Sequence, residues 1–555
     1  MRKLLLTLIL FTSLFSCKTT ENTANKTTNI VENTSARPKL VVGIVVDQMR
    51  YDYLTRFYSK FGKDGFKRLV SGGFSCKNTH FNYVPTYTAP GHTSIYTGTT
   101  PATHGIIGNN WFDKESKKYI YCTDDASVKT VGSTSSAGLM SPKNELTTTM
   151  TDQLRLDTNF QGKVIGVSIK DRASILPAGH LANAAYWFDG NDQGRFISST
   201  FYIDALPKWV QEFNDSRKVD EYMQTWNTLY DINTYTESIA DDNNYEKPFE
   251  GLDKATFPYD LKKLAAKNQG YSILKATPFG NTIVKDFAKL AIQNEGLGQD
   301  VITDFIAISF SSTDYIGHRF GVDSKEVEDT YIRLDKEIAD LLNYLDSQVG
   351  KGNYTVFLTA DHGAVRVPSY LADLKTHAGY VNQKKLKKKI RKAIRKKYGS
   401  DSLIANISNY QVFFDKKALK KADLSLKKVS NYLKSKIENW DNVQQCITGE
   451  TLKNNSFPNG ILHKIQMGYH PKRSGDVVII LDPAYISGYG PQGSTHGSGF
   501  TYDTHVPLVF YGKHIPQGKT FRPIVIPDIA ATISALLDMQ MPNGCTGNPI
   551  LEIVE

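Results

Sequence analysis

The chain has 555 residues, of which 40% are hydrophobic, and its 66 Lys and Arg exceed its 56 Asp and Glu, giving a formal net charge of +10. A chain of this length and composition can bury a sizeable core, which excludes an intrinsically disordered protein and predicts a globular one. No nucleic-acid-binding module is visible, and basicity alone does not make a DNA-binding protein, so we expect no nucleic acid partner.

The N-terminal stretch MRKLLLTLILFTSLFSC has the pattern of an export signal. Its apolar run from Leu4 to Phe11 follows two basic residues and is too short to span a membrane. We interpret residues 1–16 as a signal peptide and residues 17–37, which are polar, as a flexible tether. A small residue before Cys17 resembles a bacterial lipoprotein processing site, in which Cys17 would be lipidated; ordinary signal cleavage nearby is the alternative. We therefore expect a periplasmic protein, which lipidation would attach to the membrane as an outer-membrane lipoprotein.

Several short β-rich runs end in polar residues. The runs LVVGIVV, KVIGVSI, FIAISF and YTVFLT lead, in that order, to Asp47, to Lys170 and Arg172, to Asp314, and to Asp361 with His362. Nearly continuous Val, Ile and Leu runs predict strands buried on both faces, as in a parallel sheet covered by helices. Ligands bind beyond the carboxyl ends of such strands, so these polar residues indicate an α/β active site.

Helical patterns separate the strands, for example the apolar stripe of Val327, Tyr331, Leu334, Ile338, Leu341 and Leu345. Two stretches interrupt this alternation, at about 185–280 and about 366–472. The second contains the basic amphipathic sequence KKLKKKIRKAIRKKYG, which is typical of a solvated helix, with a polyanion or lipid headgroup site as the alternative. We interpret both stretches as capping insertions in a single α/β catalytic domain that spans 38–545, with a mostly parallel sheet flanked by helices.

The strand ends and one later loop supply six carboxylate and imidazole side chains: Asp47, Asp314, His318, Asp361, His362 and His496. These ligand types suit zinc. Asp314 and His318 are four residues apart, so one helical turn or a tight loop can aim both at one ion. Adjacent Asp361 and His362 can both reach a metal only where the chain turns, as Gly363 would allow. Six ligands are too many for one tetrahedral zinc with an open position, so we predict two Zn²⁺ per chain, an arrangement known in phosphoryl chemistry.

The four cysteines beyond Cys17 are Cys76, Cys122, Cys446 and Cys545, and they contain no C-x-x-C pair. In an oxidising periplasm they could form disulfides in any of three connectivities. We do not assign them as metal ligands.

A hydroxyl-rich stretch, VPTYTAPGHTSIYTG, follows the first strand and contains five Ser and Thr residues among Pro, Gly and His. Together with Asp47, the motifs TYTAPGH, GNNW, SIKDR, DYIGH, ADHG and THGSG occur in the order and context of the alkaline phosphatase superfamily. The sequence most closely resembles PafA-type alkaline phosphatases, which are zinc phosphomonoesterases related to nucleotide pyrophosphatase/phosphodiesterases. The resemblance spans Leu40 to about Met541 and implies an alkaline-phosphatase-like core.

The resemblance implies a role for each site residue. Thr88 would be the nucleophile and form a phosphothreonine intermediate, and Asn109 would donate to a phosphoryl oxygen. One zinc would be held by Asp314, His318 and His496. The other would be held by Asp47, Asp361 and His362, with Thr88 as an exchangeable ligand. The remaining hydroxyls, at Thr86, Thr93, Ser94 and Thr97, are assigned to capping and packing.

Lys170 and Arg172 point to the substrate class. Two residues apart on an extended segment, they would project to the same side and converge on one phosphate. A phosphate monoester carries about one more negative charge than a diester, so extra cations favour monoesters in the transition state. We predict a monomeric, broad-specificity alkaline phosphatase that acts on small phosphate monoesters. A phosphodiesterase or nucleotide pyrophosphatase on the same scaffold, and a non-catalytic zinc- or phosphate-binding surface lipoprotein, are the alternatives.

Overall fold

The computed structural model describes residues 37–191, 193–488 and 490–555. The expected signal peptide, Cys17 and all of the expected tether except Arg37 lie outside the described residues. Arg37 itself is held in place, because its Nη2 donates to the Asp538 carbonyl oxygen at 2.8 Å.

Two sheets contain most of the strands. In chain order the strands are β1 Leu40–Val46, β2 Phe74–Cys76, β3 Thr130–Val131, β4 Val164–Ser168, β5 Ala184–Asp189, β6 Arg195–Ser199, β7 Asp304–Phe310, β8 Tyr354–Thr359, β9 Ile404–Ser408, β10 Gln411–Phe414, β11 Val443–Thr448, β12 Val477–Leu481, β13 Leu508–Gly512 and β14 Gly518–Thr520. The central sheet has the order β14-β2-β13-β8-β1-β7-β4-β5-β6-β3, and the second sheet has the order β9-β10-β12-β11.

The middle of the central sheet is parallel. Strand β1 pairs in parallel with both β7 and β8, and β4 pairs in parallel with β7 and β5. The antiparallel pairs lie further out, where β13 joins β8 and β6 joins β5. Shorter strand pairs are Thr79–His80 with Ile524–Val525, Asn110–Phe112 with Tyr119–Tyr121, Thr225–Trp226 with Tyr259–Asp260, and Gly379–Val381 with Tyr485–Ser487.

The described residues contain eleven α-helices of at least eight residues: α1 Thr88–Thr97, α2 Met150–Asp157, α3 Asp171–Ala178, α4 Lys208–Asp215, α5 Phe279–Asn294, α6 Ser312–Phe320, α7 Lys325–Leu345, α8 Gln383–Tyr398, α9 Leu426–Ile437, α10 Gly460–Gly468 and α11 Asp528–Leu536. Shorter ones are Tyr53–Arg56, Phe66–Gly72, Pro101–His104, Val219–Tyr222, Leu261–Leu264, Pro368–Asp373, Lys416–Lys421, Gly449–Asn454, Thr501–Thr504 and Leu551–Val554. None of the helices in these ranges is both long and apolar enough to cross a bilayer.

The core lies on both faces of the central sheet. All seven residues of β1 are buried, as are those of β7, which is the pattern of a strand covered by helices on both sides. The apolar stripe expected on α7 is buried at every position from Val327 to Leu345. The α/β fold with a mostly parallel central sheet flanked by helices is therefore confirmed.

The bounds of the two expected insertions do not coincide with the sheets of the structure. At the start of the first expected insertion, Ala184–Asp189 and Arg195–Ser199 form β5 and β6 of the central sheet. The second sheet extends the other capping unit to Leu481, beyond the expected bound near 472. Both differences arise because a strand run shows that a segment pairs, without showing which sheet it joins.

The four described cysteines are free thiols, so none of the three possible disulfide connectivities is formed. Cys76, Cys122 and Cys446 are buried, and burial raises the pKa of the Cys76 and Cys446 thiols to about 12.

Candidate active site

Four neighbouring parallel strands bring the charged residues to one edge of the sheet. Strands β8, β1, β7 and β4 lie side by side. Asp47 directly follows β1, and Asp361, Asp314 and Lys170 follow shortly after the ends of β8, β7 and β4. Because the carboxyl ends of parallel strands share an edge, residues that are distant in the sequence meet there.

Asp47, Asp361 and His362 form what we call the buried cluster, in which all three side chains are 0% exposed. His362 Nε2 lies 3.6 Å from Asp47 Oδ1 and 3.4 Å from Asp361 Oδ2. These three atoms are buried and have no hydrogen-bond partner. His362 Nδ1 lies 2.9 Å from the Gly363 carbonyl oxygen, so it donates there and leaves the Nε2 lone pair facing the carboxylates.

Asp314, His318 and His496 form the outer cluster. Asp314 Oδ1 lies 3.2 Å from His318 Nε2 and 3.5 Å from His496 Nε2. Asp314 and His318 are one turn apart on α6, as their spacing predicts. Each histidine is oriented by a backbone carbonyl: Nδ1 of His318 lies 2.8 Å from the Ser494 oxygen, and Nδ1 of His496 lies 2.7 Å from the Thr86 oxygen. Both imidazoles therefore present Nε2 to the carboxylate.

The two clusters are in contact. The rings of His362 and His496 stack with centroids 3.4 Å apart. Lys170 Nζ lies 2.7 Å from Asp47 Oδ2 and 2.6 Å from Asp314 Oδ2, so one ammonium bridges the clusters. The arrangement is one continuous site with two groups of ligand atoms. Within each group, the ligand atoms all lie within 4.8 Å of one another.

The ligand atoms of both clusters fit metal ions. Burial and the neighbouring Asp47 raise the pKa of Asp361 well above its usual value, and Lys170 offsets only part of this rise. Burial and His496 lower the pKa of His362 well below its usual value, which favours the neutral imidazole that metals bind. A buried carboxylate oxygen without a partner is costly, and a bound cation removes that cost. Three N and O ligands per cluster are the number that catalytic zinc sites use, which keep a fourth position for water or substrate.

Thr88 is the first residue of α1 and is buried, at 1% exposure. The N-cap is Tyr87, and no side chain caps the helix, so the Thr88 hydroxyl is not used as a cap. The helix start is pressed against the buried cluster: a Cβ at Gly91 would lie 2.3 Å from the Asp361 carbonyl oxygen. His92 links the two, since its Nδ1 lies 2.9 Å from the Thr88 carbonyl oxygen and 3.4 Å from Asp361 Oδ2. The positive end of the helix dipole suits an anion.

Asn109 and Arg172 approach this helix start from two sides. The Ala89 amide donates to Asn109 Oδ1 at 2.9 Å, which fixes the Asn109 amide and leaves its NH₂ group as a donor. Arg172 Nη1 donates to the Tyr121 hydroxyl at 3.0 Å, and that hydroxyl donates to Asp171 Oδ1 at 2.7 Å. Arg172 Nε is buried without a partner, so the guanidinium retains a donor.

Two local expectations differ from the structure. Lys170 and Arg172 do not lie on an extended segment, because β4 ends at Ser168, Lys170 is the N-cap of α3 and Arg172 lies in its first turn. Their side chains consequently have separate partners. The chain bends at Asp361 without a left-handed residue at Gly363, whose role is close packing: a Cβ there would lie 2.2 Å from the Tyr502 carbonyl oxygen.

Gln48 is a site residue that the sequence did not reveal. Its backbone N–H donates to Asp361 Oδ1 at 3.0 Å, and its Nε2 donates to Asp314 Oδ1 at 2.7 Å, so one residue orients a carboxylate in each cluster. It adopts a left-handed φ of 62°, and the missing side chain of Gly317 makes room for its amide. The only signal in the sequence is its position next to Asp47, since an amide carries no charge pattern.

Comparison with known proteins identifies the family. The family model described as type I phosphodiesterase / nucleotide pyrophosphatase matches residues 41–505. The alkaline phosphatase PafA of Elizabethkingia meningoseptica is 47% identical over 94% of this chain and 95% of its own, and the alkaline phosphatase PhoV of Synechococcus elongatus is 48% identical over 95% of each. A Myroides odoratus protein named calcium-transporting ATPase is 49% identical over 94% of this chain and 95% of its own.

The solved structures agree with this result. The crystal structure of wild-type PafA superimposes with a TM-score of 0.90 and 47% identity, covering 94% of this chain and 99% of that one. A PafA variant changed at a threonine, an asparagine, a lysine and an arginine gives a TM-score of 0.89 and 46% identity, with the same coverage. The chain therefore belongs to the type I phosphodiesterase / nucleotide pyrophosphatase family, with the PafA-type alkaline phosphatases of the alkaline phosphatase superfamily.

Proposed function

We propose that this chain is an alkaline phosphatase: a broad-specificity phosphate monoester hydrolase that uses two zinc ions and Thr88 as its nucleophile. The observation that carries the proposal is the pair of adjacent clusters, with unpartnered ligand atoms on Asp47, Asp361 and His362, at the start of the helix that begins with Thr88. The relatives named alkaline phosphatases, at 47% and 48% identity over nearly the whole chain, support the monoesterase activity.

The charges of the site support the proposal that cations bind there. With all five groups ionised, Asp47, Asp314 and Asp361 contribute three negative charges and Lys170 and Arg172 two positive ones, so these groups sum to −1 and would repel a phosphate dianion. Two divalent ions would change that sum to +3. Held by the buried and outer clusters, zinc ions would lower the pKa of a nearby hydroxyl and stabilise the charge that develops on the leaving oxygen.

The chain's own groups then perform two displacements. In the first, the Thr88 hydroxyl loses its proton, a bond forms between Thr88 Oγ1 and phosphorus, and the bond from phosphorus to the leaving alcohol breaks. The departing alkoxide takes a proton from solvent. In the second, water attacks phosphorus, the bond to Thr88 breaks, and Thr88 regains its proton as inorganic phosphate leaves. The NH₂ of Asn109 would donate to a non-bridging oxygen, and the positive end of the α1 dipole would stabilise the negative charge of the phosphoryl group.

Lys170 and Arg172 favour a monoester over a diester. Both are buried or nearly so, and Arg172 keeps a free Nε donor, so their charges act in a medium of low dielectric constant. A monoester offers these cations about one more negative charge than a diester. The four residue types exchanged in the solved PafA variant are those found at Thr88, Asn109, Lys170 and Arg172, with the same spacing within each pair.

A phosphodiesterase on the same scaffold is the second candidate, and the family description, which names phosphodiesterases and nucleotide pyrophosphatases, favours it. The two candidates share the nucleophile and both metal clusters. They are separated by kcat/KM for zinc-loaded protein on a phosphate monoester and a diester with the same leaving group. We expect a strong preference for the monoester; a preference for the diester would move the assignment to the second candidate.

We further propose that the chain is exported to the periplasm, on the pattern of its first 17 residues, and that it acts as a monomer. Mass spectrometry of the mature N-terminus tests whether Cys17 is lipidated. An unmodified terminus beyond Cys17 would exclude attachment to the outer membrane by a lipid. Light scattering in solution tests the monomer.

A further inference from the structure

The positive charge of this protein is concentrated in one capping unit. Residues 383–440 contain 18 Lys and Arg against 4 Asp and Glu, a net charge of +14. Since the whole chain carries +10, everything outside this segment sums to −4. The molecule is therefore electrically polarised, with a strongly basic segment on an otherwise slightly acidic chain.

The fold turns these charges outward. Helices α8 and α9 pack together over the second sheet through Leu386, Ile390 and Ile394 of α8 and Val429, Leu433 and Ile437 of α9, which share one apolar cluster. With their apolar faces buried, the helices expose their lysines. These include Lys385, Lys388, Lys392 and Lys396 on α8, and Lys428 and Lys436 on α9. We call the exposed sides of α8 and α9 the basic face.

Little acidic charge lies within the basic face. Helix α8 runs for 16 residues, about 24 Å, without an Asp or Glu. Three of the segment's four acidic residues are paired: Asp401 with Arg395 at 2.7 Å, Asp415 with Lys117 of the core at 2.6 Å, and Glu438, at the end of α9, with Lys434. The remaining charges therefore add to one field of a single sign.

The basic face lies on the far side of the second sheet from Thr88. Along β12, Val477, Ile479 and Leu481 join the apolar cluster beneath α8 and α9, whereas Val478 and Ile480 pack with the other face's cluster, which includes Val84. The turn between β9 and β10 reaches the catalytic side, where Asn409 Nδ2 donates to the Asn110 carbonyl oxygen at 2.8 Å. A planar partner on the basic face would leave the active site open to solution.

We propose that the basic face docks the protein on an anionic lipid surface, an inference that goes beyond the proposed function and does not rest on it. Charge complementarity is the reason, because clustered Lys and Arg residues are attracted to anionic headgroups. The lysines spread over two packed helices, which suits an extended surface. The aromatic rings between them are covered: Lys389 Nζ lies 4.2 Å from the Trp440 ring centroid, and Lys397 and Lys436 lie 5.7 Å and 5.6 Å from that of Tyr432. Such rings are not offered for stacking on nucleic acid bases. Because the apolar faces of both helices are buried, the contact is adsorption and not insertion.

The test is co-sedimentation of the full chain with vesicles of phosphatidylcholine alone or with phosphatidylglycerol added, at low and high salt. Binding to vesicles of phosphatidylcholine alone measures any attachment through an N-terminal lipid, and this amount is subtracted. The variant carries Lys385→Glu, Lys388→Glu, Lys392→Glu and Lys396→Glu, and a Lys→Gln version covers a failure of the first to fold. The matched control makes the same change of net charge at exposed lysines elsewhere: Lys63→Glu, Lys118→Glu, Lys262→Glu and Lys351→Glu.

We expect the wild type to bind only the anionic vesicles, with affinity that falls steeply with salt. The basic-face variant should lose at least about tenfold in affinity and the control variant much less. Both should keep kcat/KM on a soluble monoester within about twofold, because none of the substituted lysines belongs to the proposed active site; failure of catalysis is thereby distinguished from failure of docking. Equal binding by the two variants, or no binding by the wild type at low salt, would overturn the proposal. Tighter binding to DNA than to anionic vesicles at the same salt would also overturn it and assign a nucleic acid polymer.

Discussion

The buried and outer clusters use the same ligand types in different surroundings. The buried cluster sits between the ends of the central strands β1 and β8, and its side chains are 0% exposed. The outer cluster lies on α6 and a glycine-rich loop, and the His318 side chain is 36% exposed. Its flank is formed by the first insertion, where the Lys247 amide donates to the Arg319 carbonyl oxygen and the Gly493 amide donates to that of Tyr245.

The difference in exposure indicates that the two clusters have different roles. The helix that begins with Thr88 presses on the buried cluster through Gly91, so the nucleophile belongs to the closed side of the site. The open side lies at the outer cluster, where a leaving alcohol can depart and water can enter. The predictions below test that division, beginning with the largest expected effect.

The nucleophile should be the most sensitive position. We expect Thr88→Ala to lower kcat/KM on a monoester by at least about 10³-fold, because loss of a covalent nucleophile removes the main route of reaction. Zinc content, measured by mass spectrometry of the purified protein, should stay near two per chain. Thr97→Ala, at the other end of the same helix, is the control and should change activity little. If the kcat/KM of Thr88→Ala stayed within tenfold of the wild-type value, Thr88 would not be the nucleophile.

The cations between and beside the clusters should set selectivity. Lys170→Ala and Arg172→Ala together should lower the ratio of monoester to diester kcat/KM by at least about 10²-fold, because each removes a charged donor to the phosphoryl oxygens. The ratio is measured with one shared leaving group, so that changes in leaving-group chemistry cancel. An unchanged ratio would show that these cations serve structure and not substrate choice.

Gln48 should affect zinc binding at both clusters, because it donates a hydrogen bond to a carboxylate in each. We expect Gln48→Ala to weaken zinc binding about 10- to 100-fold, the usual effect of losing a residue that orients metal ligands. Calorimetric titration of the apoprotein with zinc measures this, and the monoester to diester ratio should be preserved at saturating zinc. Gln153→Ala, at another buried glutamine, is the control. If only one of the two zinc affinities falls, the bridging role is wrong.

The two ions should leave at different rates. A chelator is expected to remove the outer zinc severalfold faster than the buried one, because His318 is reached by solvent and His362 is not. Release followed with a colorimetric chelator should show two phases of equal size. The fast phase should be absent in His318→Ala and the slow phase absent in His362→Ala. A single phase of two equivalents would contradict the contrast between the clusters.

The smallest effect should come from the flank of the outer cluster. Burial, with the nearby Glu326, raises the pKa of Glu246 to about 11, and burial raises that of Glu326, its hydrogen-bonding neighbour, to about 8. In the folded chain these two carboxyl groups keep protons that they release above about pH 5 in the unfolded chain. The free energy of unfolding therefore falls as the pH rises from about 5 towards these raised pKa values. Glu246→Gln removes the penalty, and we expect its Tm to exceed that of the wild type more at pH 9 than at pH 5. A smaller gain at pH 9 would contradict the assignment.

The sequence predicted the features that depend on local pattern. The four strand runs and the polar residues that end them were visible because fully buried strands are almost continuously apolar. The α6 pairing of Asp314 with His318 followed from helical spacing. The insertion bounds were not predictable, since β5 and β6 look like any other strands and their sheet is decided by tertiary pairing. Gln48 and Tyr121 were missed because their roles come from hydrogen bonds to residues distant in the sequence.

The stereochemical course at phosphorus tests the central claim most directly. Transfer from a monoester made chiral with oxygen isotopes to an alcohol acceptor reports the number of displacements. Two in-line displacements through Thr88 predict overall retention of configuration. Inversion would mean a single displacement without a covalent intermediate and would contradict the account.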